Sequence, residues 1–420
     1  MTPVSALLHD GTRGVPTVAG LGLALAALLA PPLSVFAPAG MAPLVALVML
    51  ACNGRASLAA ARSYAAVLAL LALISAWGAI TAFWSPIPGH SLLESGRFLL
   101  LATGGTLVLG QAAALDYREA ARLGIALVAG IVIAVLLLQI ELRSHEAITR
   151  HLIGVPAARL AAAGLSRYDR GITVLLLLAW PAAVALAARR HWLGVALLAV
   201  AVGVTVSEFN SRAALLALVI GVAVASLAAS RPRLVAFGLV GGVVLVASVF
   251  PAVAPDGGGV NRIRAALPAL PESAIPRLEI WRFVAERIGD RPILGWGMDA
   301  SRAVPGGKSL VIDLYPEVKM NDRAEALPLH PHNAALQWRL ELGLPGTLLA
   351  LATLALMLWR VAHDRTRAGW QHALAFGYAA ACLTMALLSF GAWQAWWLST
   401  LWLGAALVVR LGETRTRAAA

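Results

Sequence analysis

The sequence predicts an all-α polytopic membrane protein of about 12 transmembrane helices, with one large, partly helical loop between helices 9 and 10. Three observations predict it. Hydrophobic residues make up 60% of the 420 residues and charged residues 13%, at a mean hydropathy of +0.80, whereas soluble domains carry about 25% charged residues. Apolar runs close to the roughly 20 residues needed to cross a bilayer recur along the chain. Polar sequence is gathered in one segment, 253–342.

Runs bounded by charge or turn residues place spans near 15–34, 40–53, 64–83, 95–114, 122–140, 171–188, 192–207, 213–229, 233–252, 343–360, 369–390 and 393–410. The expected organisation is therefore nine helices in 1–252, the polar segment 253–342, and three helices in 343–420. The first span is long for a signal peptide and has only Arg13 in front of it, so it is expected to stay uncleaved. Orientation follows from Arg and Lys, which short cytoplasmic loops retain. One parity set of connections holds Arg55, Arg62, Arg118, Arg122, Arg189, Arg190, Arg231, Arg233, Arg360, Arg365, Arg367 and Arg410, with Arg13, Arg415 and Arg417 at the two ends. That set reads as cytoplasmic, so both termini are expected inside and loops 32–40, 84–94, 208–211 and 253–342 outside. Loop 141–170 resists the scheme with Arg143, Arg150, Arg159, Arg167 and Arg170 on the outer side. Either the span count slips there, or these arginines hold something anionic.

The formal charge of +12 divides accordingly. Segment 253–342 has eleven Arg or Lys against eleven Asp or Glu, so the excess is mostly the cytoplasmic bias. No basic face on a soluble domain exists to bind nucleic acid. Cys52 and Cys382 fall inside apolar spans, which argues against a disulfide or a thiolate metal site.

Within the polar segment, Ile275, Leu278, Ile280, Trp281, Val284 and Ile288 form an apolar helical stripe, with Pro276 at its start and Gly289 near its stop. Residues 299–329, rich in Gly, Pro and mixed charge, read as a mobile loop or lid. The stretch LPLHPHN, 327–333, starts the next helix and sets His330, His332 and Asn333 before it. Glu341, nine residues after His332, reads as a packing or capping residue, and Gly295-Trp296-Gly297 as a structural turn.

These residues carry a family resemblance. Arg277-x-x-x-Trp281, Pro292-x-x-Gly295-Trp296-Gly297, a variable loop, then His332-Asn333 and Glu341-x-Gly343-x-x-Gly346 resemble the outer loop of the O-antigen ligase and polymerase superfamily. Ser211-Arg212 at the start of a span and Trp84-Ser85-Pro86 in the second outer loop are similar to further patterns of that superfamily. The hydropathy plan matches over the whole chain, and twelve spans with both termini inside imply the ligase branch. The resemblance implies a multi-pass protein of the bacterial inner membrane with its active site on the periplasmic side. Its expected activity is transfer of a glycan from a polyprenyl (undecaprenyl) diphosphate donor to lipid A-core in lipopolysaccharide biosynthesis, among membrane lipids and without a cofactor or metal.

That chemistry gives the polar residues work. Breaking the anomeric carbon–phosphate bond leaves negative charge on a diphosphate, which fixed cations stabilise. Arginine grips phosphate oxygens with a planar fork, and the resemblance carries this role to Arg212 and Arg277. A neutral imidazole can take the proton of an attacking sugar hydroxyl. His332 is the first choice, with His330 second; His330 and Asn333 are also expected to bind substrate. Attack opposite the leaving group would invert the anomeric centre. Two alternatives stay open: a polysaccharide polymerase, whose acceptor is a second polyprenyl-linked glycan, and a transporter. A transporter would show ionisable residues or broken helices at the bilayer midplane, and these spans are almost free of charge.

Overall fold

The computed structural model describes residues 17–51, 55–156, 158–160, 164–254, 259–267, 274–310 and 325–412. Among them, eight helices are long and apolar enough to cross a membrane and four shorter apolar helices accompany them. The twelve fall in order on the twelve apolar runs of the sequence. They are α1 (Val18–Phe36), α2 (Met41–Ala51), α3 (Leu58–Thr81), α4 (Pro88–Ala114), α5 (Tyr117–Arg143), α6 (Asp169–Ala187), α7 (Trp192–Glu208), α8 (Arg212–Ala228) and α9 (Pro232–Ser248). After the outer-segment helix α10 (Ala274–Asp290) come α11 (Ala334–Ala362), α12 (Gly369–Leu388) and α13 (Ala395–Leu411). No strand occurs among the described residues, which hold one isolated bridge, Leu310 to Glu325. Arg13, Cys52, 311–324 of the expected lid, Arg415 and Arg417 lie outside the described residues.

Helix α6 is apolar all round and buried from Gly171 to Leu178, as expected of a helix at the centre of a bundle. Its neighbours approach closely because glycines face them. A Cβ on Gly130 of α5 would lie 2.4 Å from the Leu28 carbonyl oxygen of α1, and one on Gly171 would lie 2.6 Å from that of Ser34. Small residues at such crossings let backbones pack where no hydrophobic driving force separates helix from lipid.

Hydrogen bonds sort the helix ends into two sets. At one end Thr17 N donates to Glu119 Oε1 (2.9 Å), Arg189 Nη2 to the Ala121 carbonyl (2.9 Å) and Arg360 Nη2 to that of Ser63 (2.5 Å). These are the arginine-rich connections. At the other end Trp84 Nε1 donates to the Gly295 carbonyl (3.2 Å), Gln139 Nε2 to Glu208 Oε2 (2.7 Å) and Ala392 N to Gln337 Oε1 (2.8 Å). The described residues of segments 274–310 and 325–342 belong to this second end.

The described residues of loop 141–170 belong there too, and the span count does not slip. Helix α5 ends at Arg143 and α6 starts at Asp169. Fully buried Glu141 folds the loop back by accepting from Ile148 N (2.7 Å) and Tyr168 Oη (2.5 Å). Arg143 faces Glu208 at 3.6 Å, Arg167 faces Glu146 at 3.3 Å, and Arg150 donates to the His145 carbonyl. Three of the five arginines thus have partners within this end of the bundle, while Arg170 lies over the Trp396 ring, 5.7 Å from its centroid.

Two helices begin earlier than their apolar runs. Helix α4 starts at Pro88, where the ring presets the helical φ at a position needing no N–H donor. Helix α11 starts at Ala334, where the Asn333 side chain caps it by accepting from Leu336 N (3.1 Å). Helix α11 is broken at Gly343, whose φ is +61°. The turn 293–297 inserts at the break: Leu344 N donates to the Ile293 carbonyl (2.9 Å), Trp296 N to that of Leu340 (2.9 Å) and Gly297 N to that of Glu341 (2.8 Å). A Cβ on Gly343 would lie 2.0 Å from the Ile293 oxygen, so only glycine fits.

Candidate active site

Both histidines sit at the end of the long connection 291–333 between α10 and α11, directly before α11, held from two sides. Trp281 Nε1 of α10 donates to the Pro331 carbonyl (2.9 Å). From the other side comes the loop between α12 and α13. The His332 ring lies with Nδ1 at 2.6 Å from the Ser389 carbonyl oxygen, and a Cβ on Gly391 would be 3.0 Å from the His330 ring. A carbonyl only accepts, so His332 Nδ1 carries the proton and Nε2 presents a lone pair. His332 N donates to His330 Nδ1 (3.2 Å), and the ring centroids are 4.3 Å apart. His332 holds φ at +57°, a conformation that a non-glycine residue keeps only where its surroundings impose it.

Burial pushes the His330 imidazole down to about 3, helped by the charges of His332, Arg170 and Arg302. Burial also lowers His332, opposed by its bond to the Ser389 carbonyl and reinforced by the charge of Arg277. Both rings are therefore neutral near pH 7.

Arg277 stands beside His332. Its Nε donates to the Leu388 carbonyl (3.1 Å), so consecutive carbonyls at the end of α12 hold the arginine and the histidine. Burial lowers the Arg277 guanidinium and the charge of Asp169 raises it; arginine nevertheless remains protonated. Asp169, the first residue of α6, accepts a hydrogen bond from the Ser211 side chain. The Ser211-Arg212 pair thus contributes its serine to the cluster. Arg212 itself is exposed, with Nε 3.5 Å from Asn210 Oδ1. His330, His332, Asn333 and Arg277 come together, while Arg212 stands beside the cluster on the surface. Asn333 is buried and uses its side-chain oxygen on the helix cap.

A second cluster anchors the first. Glu341 is fully buried and accepts from Asp299 N (2.9 Å), Ser301 N (3.3 Å), Ser301 Oγ, Gln337 Nε2 (3.0 Å) and Trp393 Nε1 (2.5 Å). It joins residues 299–301, the α11 start and the loop carrying Ser389, so this first part of the expected lid is fastened. Glu341→Ala would orphan these donors at about 1–3 kcal/mol each. Loss of several degrees of thermal stability in detergent is expected, with a smaller loss for Glu341→Gln; equal melting of wild type and Glu341→Ala would show that the hub is dispensable.

Adjacent to it, ligand atoms of His90, Glu94 and Asp299 lie within 4.8 Å of one another. His90 Nε2 is 2.7 Å from Asp299 Oδ2, Arg302 Nη2 is 2.6 Å from the same oxygen, and Arg97 Nη1 is 2.8 Å from Glu94 Oε2. Each carboxylate already has an arginine, so the set is an ion-pair network rather than a cation cage. Asp169, Arg302 and the Leu388 and Ser389 carbonyls were not singled out by sequence reasoning. Asp169 had one legible signal, an acidic residue two positions before an apolar run.

The arrangement can do three things chemically. A neutral imidazole with a fixed tautomer can accept a proton at Nε2. A guanidinium beside it can receive negative charge. A further positive field from Arg170 and Arg302 surrounds His330.

Comparison with known proteins places the chain in a family. The family model described as O-Antigen ligase matches residues 197–351, which include Arg212, Arg277, His330, His332 and Asn333. A Rickettsia prowazekii protein named "Putative polysaccharide ligase" is 30% identical over 336 residues, 79% of this chain and 77% of its own. A Rickettsia felis protein of the same name is 31% identical over 336 residues, 78% and 76% of the two chains. No solved structure matches significantly. With its helical architecture, clustered motif residues and these relatives, the chain belongs to the O-antigen ligase family.

Proposed function

We propose that the protein transfers a glycan from a polyprenyl (undecaprenyl) diphosphate to lipid A-core at the periplasmic face of a bacterial inner membrane, its termini cytoplasmic. The observation that carries this reading is the pairing of neutral His332 on the Ser389 carbonyl with Arg277 on the Leu388 carbonyl. The acceptor hydroxyl attacks the anomeric carbon and yields its proton to His332 Nε2. The anomeric carbon–oxygen bond to phosphate breaks, and its electron pair passes to the diphosphate, whose charge Arg277 and the exposed side chain of Arg212 receive. Attack opposite the leaving group inverts the centre. His330 and Asn333 contact substrate, and the reading assigns no step to a cofactor or metal. The divided charge pattern supports the orientation, since the short arginine-rich connections gather at the end opposite the site, with the long loop 141–170 the exception.

The test is purified wild-type protein in liposomes with polyprenyl-linked donor, with and without lipid A-core, followed by gel and mass. Glycosylated lipid A-core formed only when that acceptor is present is the expected result. Longer polyprenyl-linked chains without it would make the protein a polymerase.

A further inference from the structure

The two histidines of the site hold opposite tautomers. His332 N donates to His330 Nδ1 (3.2 Å), so in the neutral His330 ring Nδ1 is the acceptor and the proton sits on Nε2. In the His332 ring Nδ1 is on the Ser389 carbonyl at 2.6 Å and Nε2 holds the lone pair. Two imidazoles with centroids 4.3 Å apart therefore present one acceptor and one donor. The donor is firmly held: His330 is only 9% exposed and its ring packs against Gly391. Among the described residues no group accepts from its Nε2, and that atom is not sealed from outside. A largely buried N–H without an acceptor costs free energy that a ligand oxygen would recover. Burial keeps this ring neutral near pH 7, so it offers a hydrogen bond without a charge and suits an uncharged oxygen. Sugars carry such oxygens on neighbouring carbons: when one hydroxyl meets His332 Nε2, the next oxygen falls to the neighbouring ring.

We propose that His330 Nε2–H donates to the oxygen on the carbon next to the reacting hydroxyl of the acceptor sugar, so that the histidine pair selects acceptors with two neighbouring oxygens. The reacting hydroxyl gives its proton to His332, while His330 keeps its own and fixes the rotation of the acceptor, which orients the attacking oxygen. His330 is thus a specificity-determining residue for the acceptor, and the diphosphate is left to the arginines. The proposal rests on the transferase reading above and adds the acceptor chemistry that the site reads.

The test uses two synthetic lipid A-core acceptors, one intact and one lacking the oxygen next to the hydroxyl that wild-type protein glycosylates, a position read from the product by NMR. Acceptor kcat/KM is measured for each in liposomes. Wild type is expected to prefer the intact acceptor about tenfold. In His330→Asn the side chain can still accept from His332 N, because asparagine bonds the backbone N–H two residues on, but its amide falls short of the place of Nε2. This variant is expected to lose about tenfold on the intact acceptor and to show no preference between the two, with donor KM unchanged. His330→Gln, whose NH₂ group extends as far as Nε2, is expected to regain the preference. A wild type without the preference, or His330→Asn that retains it, overturns the proposal. Should His330→Asn fail to fold, His330→Phe, which keeps a ring against Gly391, decides by the same measure: loss of the preference supports the donor role and its retention overturns it. Wild-type protein that glycosylates neither acceptor would instead refute the transferase reading.

Discussion

Replacement of His332 by alanine is expected to lower glycan transfer roughly 10²–10⁴-fold, the range for loss of a positioned general base, with donor binding little changed. The cause is local: Nδ1 is committed to the Ser389 carbonyl at 2.6 Å, so Nε2 is the ring atom that can take the hydroxyl proton. The check is a single-turnover rate with saturating donor and acceptor; undiminished transfer would remove His332 from the reaction. The pH profile gives an independent reading. Burial holds His332 below its ordinary value of 6.5, so wild-type activity should be flat from neutral pH to below 6.5 and fall only in more acidic solution. The His332→Ala residual rate should lack that acid limb. Stability follows the same sign through His330. Its folded value of about 3 lies below 6.5, so the unfolded chain binds the extra proton between those values. The contribution is therefore complete above about 6.5 and is lost as pH falls toward about 3.

Arg277→Lys is the second large effect expected, a fall in turnover of roughly 10²–10³-fold, comparable to removing one donor from a developing anion. Lysine keeps the charge but loses two things: the Nε bond to the Leu388 carbonyl, 3.1 Å long, and the planar fork that matches phosphate oxygens. Donor KM and kcat measured together distinguish the roles, because an interaction made only in the transition state lowers kcat without raising KM. Turnover unaffected by Arg277→Lys and by Arg212→Ala would end the case for arginine stabilisation of the leaving diphosphate.

Hydropathy made the spans legible because the bilayer imposes both a length and an apolar composition, and all twelve runs correspond to helices. The start of α11 was legible as the helix entry at 327–333, whereas that of α4 was not, since its first turns lie before the apolar run and carry His90 and Glu94, which face other polar groups. Loop 141–170 looked anomalous because arginine counts do not reveal partners such as Glu146 and Glu208. At the candidate site, the order and spacing of motifs pointed to Arg277, His330, His332 and Asn333. Nothing could point to the carbonyls of Leu388 and Ser389, because a backbone oxygen has no sequence signature and these lie 111 and 57 residues from their partners. Glu341 was legible as a residue but not as a hub, since four of its five donor groups lie 40 or more residues away.

Placement of those two carbonyls at the end of α12 has a consequence for biogenesis. Chains are made from the N-terminus, and earlier parts settle before later ones exist. Arg277, His330 and His332 are thus synthesised well before the backbone that seats them, and until α12 and the loop to α13 have been inserted, their anchoring oxygens are missing. An insertion intermediate carries the candidate site groups without their register, and the assembled cluster appears only when the penultimate span is in place. Completion of the bundle and assembly of the cluster are therefore one late event, which under the proposed function keeps half-made chains from acting on lipid-linked sugars.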